Sequence, residues 1–208
     1  VAEVAPNSKI RPTAEYDAAA SLILLKDWGR VAGVLEGFRE RYPQHELQKD
    51  ITKKLAVVYK EDGKFLKAAV EFERIETENP KDAALRREAL ITAADLYEKA
   101  EARDKALLVY IKLVDYFPEP IEDALEVRQK MADIYKAKGD DRKYRAELNH
   151  IVNADARGGE GRTPRTKFLA ANAALVLAEP KLAEFESIKL VQPFKKNLRK
   201  KKVAMRSA

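Results

Sequence analysis

A pattern of residues recurs along this chain every 37 or 38 residues. Its simplest marker is a tyrosine, found at Tyr59, Tyr97 and Tyr135. An alanine precedes each of these tyrosines by three positions, within the pairs Leu55-Ala56, Ala93-Ala94 and Met131-Ala132. Self-similarity at a period of roughly 20–50 residues is typical of stacked supersecondary units. The sequence therefore predicts an array of repeats, in which each unit completes its core against its neighbours.

Within each repeat the apolar positions step by three and four, as the buried stripe of an α-helix requires. Gly63 and Gly139 suit a left-handed helix end in the middle of a repeat, and Pro43, Pro80 and Pro118 end its second half. A composition dominated by Ala, Glu, Lys, Leu and Arg also favours helix. We therefore predict an all-α fold of antiparallel helix pairs, with helices near residues 13–25, 28–42, 45–61, 65–78, 82–100, 103–117, 120–138 and 141–154.

The predicted domain organisation begins with a linker over residues 1–12, followed by four helix pairs over 13–154. A flexible loop over 155–163 leads to a degenerate repeat and a basic capping helix over 164–208. In this last segment we expect helices at 164–178 and 180–190, and a basic helix from about residue 193. The segment 164–178 is apolar on several faces, so we expect the final helix to cover it. Both ends of the chain suggest a fragment of a longer protein.

The order small residue, Tyr, Gly, aromatic, Ala, Phe or Tyr, apolar residue and Pro resembles the tetratricopeptide repeat (TPR). Three repeats carry it well, and a fourth carries it loosely as Val31, Leu35, Phe38 and Pro43. The resemblance implies a right-handed α-solenoid, a TPR-like superhelix whose first helices line a concave groove. The period of 37–38 residues, together with segments 38–43 and 114–118, is similar to bacterial cell-envelope members of the family. That similarity favours the periplasm or cell envelope slightly over the cytoplasm.

Position by position, the resemblance implies which residues face the groove. They mix charged and apolar side chains, which suits an extended peptide or a helix of a partner protein. The implied lining is Tyr16, Asp17, Ala20, Lys53, Lys54, Val57, Ile91, Thr92, Asp95, Gln129, Lys130 and Asp133. The chaperone-binding members clamp a terminal carboxylate with Lys and Asn, whereas Val57, Thr92 and Glu126 stand at three of the clamp positions here. We therefore expect a protein or peptide partner, but not a chaperone tail.

Residues suited to catalysis are sparse. The only histidines, His45 and His150, lie in different repeats, and the chain has no cysteine for disulfides, thiolate metal sites or thiol nucleophiles. The glycine-rich stretch 157–162 lacks the Lys-Ser/Thr ending of a phosphate-binding loop. We expect no enzyme, no cofactor and no metal site. The predicted function is a non-catalytic protein–protein interaction scaffold in a bacterial multiprotein assembly.

Positive charge is concentrated at one end of the chain. The formal net charge is +6, yet residues 187–208 carry eight Lys or Arg and no acid, which leaves the preceding residues at −2. The core of this basic tail is Lys195, Lys196, Arg199, Lys200, Lys201 and Lys202. Such a run suggests, as alternatives to the scaffold, an adaptor that binds nucleic acid or an anionic membrane. A self-assembly module, giving a homo-oligomer, is a further alternative.

The residues around the tail weigh against those alternatives. Only Phe194 is available to stack on a base, and Leu198, Val203 and Met205 suggest a helix that packs onto the scaffold. We therefore expect a capping or partner-contacting helix. Nucleic acid is not expected, and membrane contact is expected only indirectly.

Overall fold

The computed structural model describes residues 9–207, and in this range the regular structure is helical without strands. The all-α prediction is therefore confirmed. The helices are α1 (Arg11–Leu24), α2 (Trp28–Arg41), α3 (Gln48–Glu61), α4 (Phe65–Glu78), α5 (Ala83–Lys99), α6 (Arg103–Tyr116), α7 (Ile121–Ala137), α8 (Asp141–Arg157), α9 (Pro164–Ser187) and α10 (Phe194–Ser207).

The helix bounds depart from the predicted ones near both ends. Helix α1 begins inside the predicted linker 1–12, with Pro12 in its first turn, and residues 1–8 lie outside the described residues. Helix α8 runs on to Arg157, so the predicted loop 155–163 is shorter and contains a single 3-10 turn, Gly159–Gly161. The two helices predicted at 164–178 and 180–190 are one helix, α9, which continues through Pro180. Helix α9 is able to continue because an exposed proline removes one backbone hydrogen bond without always ending a helix.

The chain divides into two compact units, one up to Leu113 and the other from Val114 onward. The boundary falls inside α6, within the segment predicted as four helix pairs. In the N-terminal unit, α1 packs on α2, α2 on α3, α3 on α4 and α4 on α5. In the C-terminal unit, α7 packs on α8 and α9, α8 on α9, and α9 on α10. The contacts of α1 with α2, of α3 with α4 and of α7 with α8 join the two helices of a predicted pair.

The turn inside each helix pair has the same backbone geometry four times. One residue takes a left-handed conformation, with φ between 54° and 73°, at Lys26, Gly63, Glu101 and Gly139. The next residue donates its N–H to the carbonyl five positions earlier, at 2.8–3.1 Å. This is the Schellman arrangement, which satisfies the last carbonyls of a helix and reverses the chain. The repeat thus specifies its helical hairpins through hydrogen-bonded turns.

Alanines lie where neighbouring helices come closest. Ala56 on α3 and Ala94 on α5 are fully buried, as are Ala68 on α4, Ala106 on α6 and Ala132 on α7. Between α3, α4 and α5, Ala56, Ile75 and Ala89 form one cluster, which Phe72 and Leu85 cover. Their burial leaves other faces of the first helices free to carry polar and charged side chains.

Candidate partner-binding surfaces

The predicted groove positions of the N-terminal unit all remain accessible. Asp17, Lys53, Val57, Ile91 and Asp95 are exposed, while Tyr16, Ala20, Lys54 and Thr92 are half-buried. These residues come from α1, α3 and α5, the first helices of three successive pairs. None belongs to the hydrophobic core. They are available for binding, although their role in binding stays a prediction.

Two apolar side chains stand out on these helices. Val57 on α3 is 52% exposed and Ile91 on α5 is 39% exposed, although both helices bury other aliphatic side chains completely. Their neighbours on the exposed face are charged, with Lys53 one turn before Val57 and Asp95 one turn after Ile91. We call this face, formed by Lys53, Val57, Ile91 and Asp95, the first-helix face. It offers two apolar contacts together with one charge of each sign.

A polar cluster joins α1 to α3 among the predicted groove positions. The Tyr16 hydroxyl donates a hydrogen bond to Asp50 Oδ2, and Lys54 Nζ lies 3.7 Å from the same oxygen. The Lys54 ammonium also lies over the Tyr16 ring, 5.0 Å from its centroid. The hydrogen bond to Asp50, and then burial, raise the pKa of the Tyr16 phenol. Sequence analysis missed Asp50, which stands four residues before Lys54 on α3 and was read only as part of a charged surface.

The repeated tyrosines carry a polar contact that sequence analysis also missed. The Tyr59 hydroxyl donates to Glu36 Oε1 on α2, which Lys67 Nζ of α4 approaches to 3.1 Å. One repeat later, the Tyr97 hydroxyl donates to Glu73 Oε2 on α4 at 2.9 Å. Lys112 Nζ on α6 then pairs with Glu73 Oε1 at 3.0 Å.

Each Tyr–Glu–Lys set therefore ties three successive helices together. Burial, followed by the hydrogen bond to the glutamate, raises the pKa values of the Tyr59 and Tyr97 phenols far above the usual range. The hydrogen bond from Tyr59 in turn lowers the pKa of Glu36. The Tyr59 and Tyr97 phenols therefore stay protonated near neutral pH and remain hydrogen-bond donors that hold the helices.

In the C-terminal unit, three predicted positions lie on α7. Lys130 and Asp133 are exposed, while Gln129 is half-buried and donates through Nε2 to Asp133 Oδ1 at 3.0 Å. Glu126, one turn earlier, accepts two hydrogen bonds from Arg165 of α9. The carboxylate at this clamp position is therefore already occupied by a neighbouring arginine.

The basic helix α10 packs on the end of α9 through only a few of its residues. Ala204 is buried, and Lys201 Nζ donates to the Ile188 carbonyl at 3.2 Å while lying 4.6 Å from the Phe185 ring centroid. The other tail residues, Lys195, Lys196, Arg199, Lys200 and Lys202, are exposed.

The expectation that Leu198, Val203 and Met205 pack on the scaffold is largely wrong. Leu198 is half-buried, but Val203 is 63% exposed and Met205 is 58% exposed. The ammonium of Lys201 contacts the end of α9 instead. Beside this contact lies a groove of about 610 Å³, whose lining includes Glu184, Lys196 and Lys200.

The two histidines, which were considered as catalytic residues from the sequence, differ in their surroundings. His45 Nδ1 accepts the Leu47 N–H at 3.2 Å, and its ring packs edge-on against Phe38. His150 is an exposed residue of α8. Among residues 9–206, no group of three or more His, Asp or Glu side chains is arranged to hold a metal ion. None of the helices described is both long and apolar enough to cross a membrane.

Comparison with known proteins gives matches at the level of solved structures alone. No protein family model matches the chain, and no curated protein matches it. It is similar to a protein of Podosopora anserina described as a kinesin light chain with nearly identical TPR-like repeats, at 15% identity and a TM-score of 0.45, over 97% of this chain and 98% of the other. It is also similar to BtubC (BKLC) of P. vanneervenii, at 16% identity and a TM-score of 0.43, over 98% and 84% of the two chains. Identities this low carry no information about partners.

Proposed function

We propose that this protein is a non-catalytic scaffold that holds a partner protein or peptide on the first-helix face of its N-terminal unit. The observation that carries the proposal is the exposure of Val57 and Ile91 on two helices that bury other aliphatic side chains, among them Leu55 and Leu90. Exposed aliphatic side chains gain free energy only when another surface removes them from water. Two of them on successive first helices favour a protein surface as that partner.

Rigidity of the supporting helices favours binding on this face. Buried alanines, Schellman turns and the Tyr–Glu–Lys sets fix α3, α4 and α5 against one another before any partner arrives. A surface held in this way loses little conformational entropy on association. The free energy of apolar contact at Val57 and Ile91 is therefore available for affinity.

The charges beside the apolar residues define the kind of segment that fits. Lys53 attracts an acidic side chain, and Asp95 attracts a basic one. Between them, Val57 and Ile91 accept apolar side chains, as in grooves that take an extended peptide or one face of an amphipathic helix. The partner segment proposed here thus carries two apolar anchors with charges of both signs.

The assembly is proposed to be bacterial and to lie in the cell envelope. The support is the repeat period of 37–38 residues, which resembles that of bacterial cell-envelope members. A homo-oligomer formed by two copies of the chain is the alternative occupant of the face, and size-exclusion chromatography with light scattering across protein concentrations distinguishes the two.

A site-specific crosslinking experiment tests the surface in the native host. A photoreactive phenylalanine analogue is placed at Val57 in one strain and at Val70 in another. Val70 is the matched control because it is 48% exposed but lies on α4, which is the second helix of its pair and lies outside the first-helix face. We expect a discrete crosslinked product from position 57 and none of that size from position 70.

A substitution then tests the energetics with the identified partner. Val57→Asp is expected to weaken binding by at least about tenfold, because it removes the apolar contact and introduces a charge into it. Val70→Asp is expected to leave affinity unchanged, and both variants are expected to unfold at the wild-type temperature. Equal crosslinking from the two positions, or wild-type affinity in Val57→Asp, would contradict the proposed surface.

A further inference from the structure

Apolar side chains are exposed at the bend between α9 and α10. Leu190 and Val191 lie in this bend and Phe194 opens α10; Val191 is 58% exposed and Phe194 is 48% exposed. Lysines flank the group on both sides, with Lys189 before it and Lys195 after it, and both are exposed. We call residues 189–195 the apolar bend. An apolar tip between lysines is unusual for a surface that faces only water.

Four cationic residues of helix α10 form a regular line along it, which we call the cationic line. Lys195, Arg199, Lys202 and Arg206 follow one another at intervals of four, three and four residues, so they lie on one side of the helix. The side that packs on α9 is a different one and includes Lys201 and Ala204. Lys195, Lys202 and Arg206 therefore point away from the packed side, while Arg199 lines the groove beside α9. Within the described residues, none of the four forms an ion pair.

The exposed apolar residues of α10 lie beside this cationic line. Phe194 and Met205 are eleven residues apart, which places them on the same side of the helix, about 16 Å from one another along its axis. Leu198 lies between them on that side and is half-buried. Phe194, Leu198 and Met205 thus share one edge of α10, on which Lys201 stands between Leu198 and Met205, and the adjacent edge is cationic.

We propose that the apolar bend and α10 dock this protein on an anionic lipid surface. The cations lie at the level of the lipid phosphates, while Val191, Phe194 and Met205 enter the boundary between headgroups and acyl chains. This is the arrangement of an interfacial amphipathic helix, which lies on a bilayer without crossing it.

The exposed apolar side chains favour a lipid surface over a nucleic acid or an acidic protein as the anionic partner. A nucleic acid backbone would pair with the cations, but it offers nothing apolar to Leu190, Val191 or Met205, and only Phe194 is able to stack on a base. An acidic protein surface would need its own apolar patch matched to the bend. A bilayer supplies negative charge and hydrocarbon together.

Vesicle sedimentation with the full chain tests the charge requirement. We expect it to bind phosphatidylcholine vesicles that contain phosphatidylserine, to bind pure phosphatidylcholine vesicles much less, and to lose affinity as salt rises. Neutralising the cationic line should weaken binding by about fivefold per charge removed. The charge-matched control neutralises four exposed cations elsewhere in the C-terminal unit: Arg142, Arg157, Lys167 and Lys181.

Substitution in the apolar bend separates lipid from other anionic partners. Val191→Ser and Phe194→Ser should each weaken vesicle binding by about tenfold, because the lost contact is with hydrocarbon. Leu175→Ser on α9 is the matched control, since Leu175 is 62% exposed and lies outside the bend. If the two bend variants bind vesicles as the wild type does, or if duplex DNA binds tighter than the anionic vesicles, the proposal is overturned.

A fluorescent label reports insertion directly. The chain has no cysteine, so Val191→Cys accepts a single environment-sensitive nitrobenzoxadiazole dye, and Leu175→Cys accepts the same dye as a control. Anionic vesicles are expected to raise and blue-shift the emission at position 191 and to leave position 175 unchanged. Sedimentation with the vesicles without this spectral change would mean adsorption by charge alone, which contradicts the proposed insertion.

Discussion

The buried tyrosines of the repeat combine packing with one specific hydrogen bond. Replacing Tyr97 by Phe keeps the ring but removes the 2.9 Å bond to Glu73, which retains its contact with Lys112. We expect Tyr97→Phe to lower the free energy of unfolding by about 1 kcal/mol. Tyr97→Ala also removes the ring and is expected to cost roughly 3–5 kcal/mol. Urea unfolding followed by circular dichroism measures both, and equal losses would mean that the hydroxyl supplies most of the effect.

A buried carboxylate in the first helix pair makes stability depend on pH. Glu15 accepts hydrogen bonds from Arg11 and Arg41, each at 2.7 Å. Burial alone would raise the pKa of Glu15, but the hydrogen bonds from Arg41 and Arg11 outweigh it and hold the pKa below the ordinary value of 4.5. A pKa lowered by folding stabilises the protein above the unfolded-state value, and that stabilisation is lost as pH falls through the folded-state value.

Glu15→Gln should therefore destabilise the protein at pH 7 by about 1.5 kcal/mol, and by less at pH 3. Urea titrations of wild type and variant at the two pH values give the difference. A deficit that is the same at both pH values would show that the carboxylate acts through its shape alone.

For individual residues, the sequence predicted which side chains are exposed better than it predicted which side chains contact one another. The resemblance to the tetratricopeptide repeat implied that Lys53, Val57 and Ile91 lie on an accessible face, and all three are exposed. It did not identify Glu36 or Glu73 as tyrosine partners. Each glutamate lies on the second helix of the preceding pair, more than 20 residues away in sequence, and surface glutamates are common throughout the chain.

Two of the four turns within the helix pairs were predicted from their glycines, and the other two carry backbone strain. Gly63 and Gly139 were predicted as helix ends because glycine takes a left-handed backbone at little cost. Lys26 and Glu101 hold the same conformation, at φ of 54° and 56°, without that advantage. The repeat position therefore fixes the backbone even where the residue type disfavours it.

Substitutions at these turn positions should have opposite signs. Lys26→Gly and Glu101→Gly are each expected to raise the free energy of unfolding by about 0.5–1 kcal/mol, since they relieve a left-handed non-glycine residue. Gly63→Ala should lower it by about 1 kcal/mol for the converse reason. Thermal denaturation of the three variants checks the signs. Destabilisation by Lys26→Gly would mean that its side chain contributes more than the strain it imposes.

Two predictions at the level of elements were wrong for identifiable reasons. Pro180 was expected to separate two helices, but α9 is continuous through it. Hydrophobicity suggested that Val203 and Met205 face the scaffold, whereas the ammonium of Lys201 contacts the Ile188 carbonyl and the Phe185 ring. Binary patterning fails for such a helix because its apolar residues are few and a lysine makes the contact through its charged group.

Considered as a whole, the chain is held mainly by contacts between helices that are neighbours in sequence. In the N-terminal unit α1 to α5 contact one another in succession, and in the described part of the C-terminal unit the contact of α7 with α9 is the main one that skips a helix. Repeat proteins with such contacts behave as a row of coupled units, whose stability is a sum of local and nearest-neighbour terms. A defect in one unit is then expected to remain largely local.

Native-state hydrogen exchange of the full chain tests this view. Leu148 is buried on α8, and Leu148→Ala is expected to reduce the opening free energy of amides in α7, α8 and α9 by about 3 kcal/mol. Amides of α2 and α3 should keep wild-type protection, because the contacts that hold these two helices do not need to open when α8 is weakened. Leu35→Ala on α2 is the reciprocal variant, since Leu35 is buried in the N-terminal unit. Equal loss of protection in both units from either substitution would mean that the array unfolds as one cooperative body.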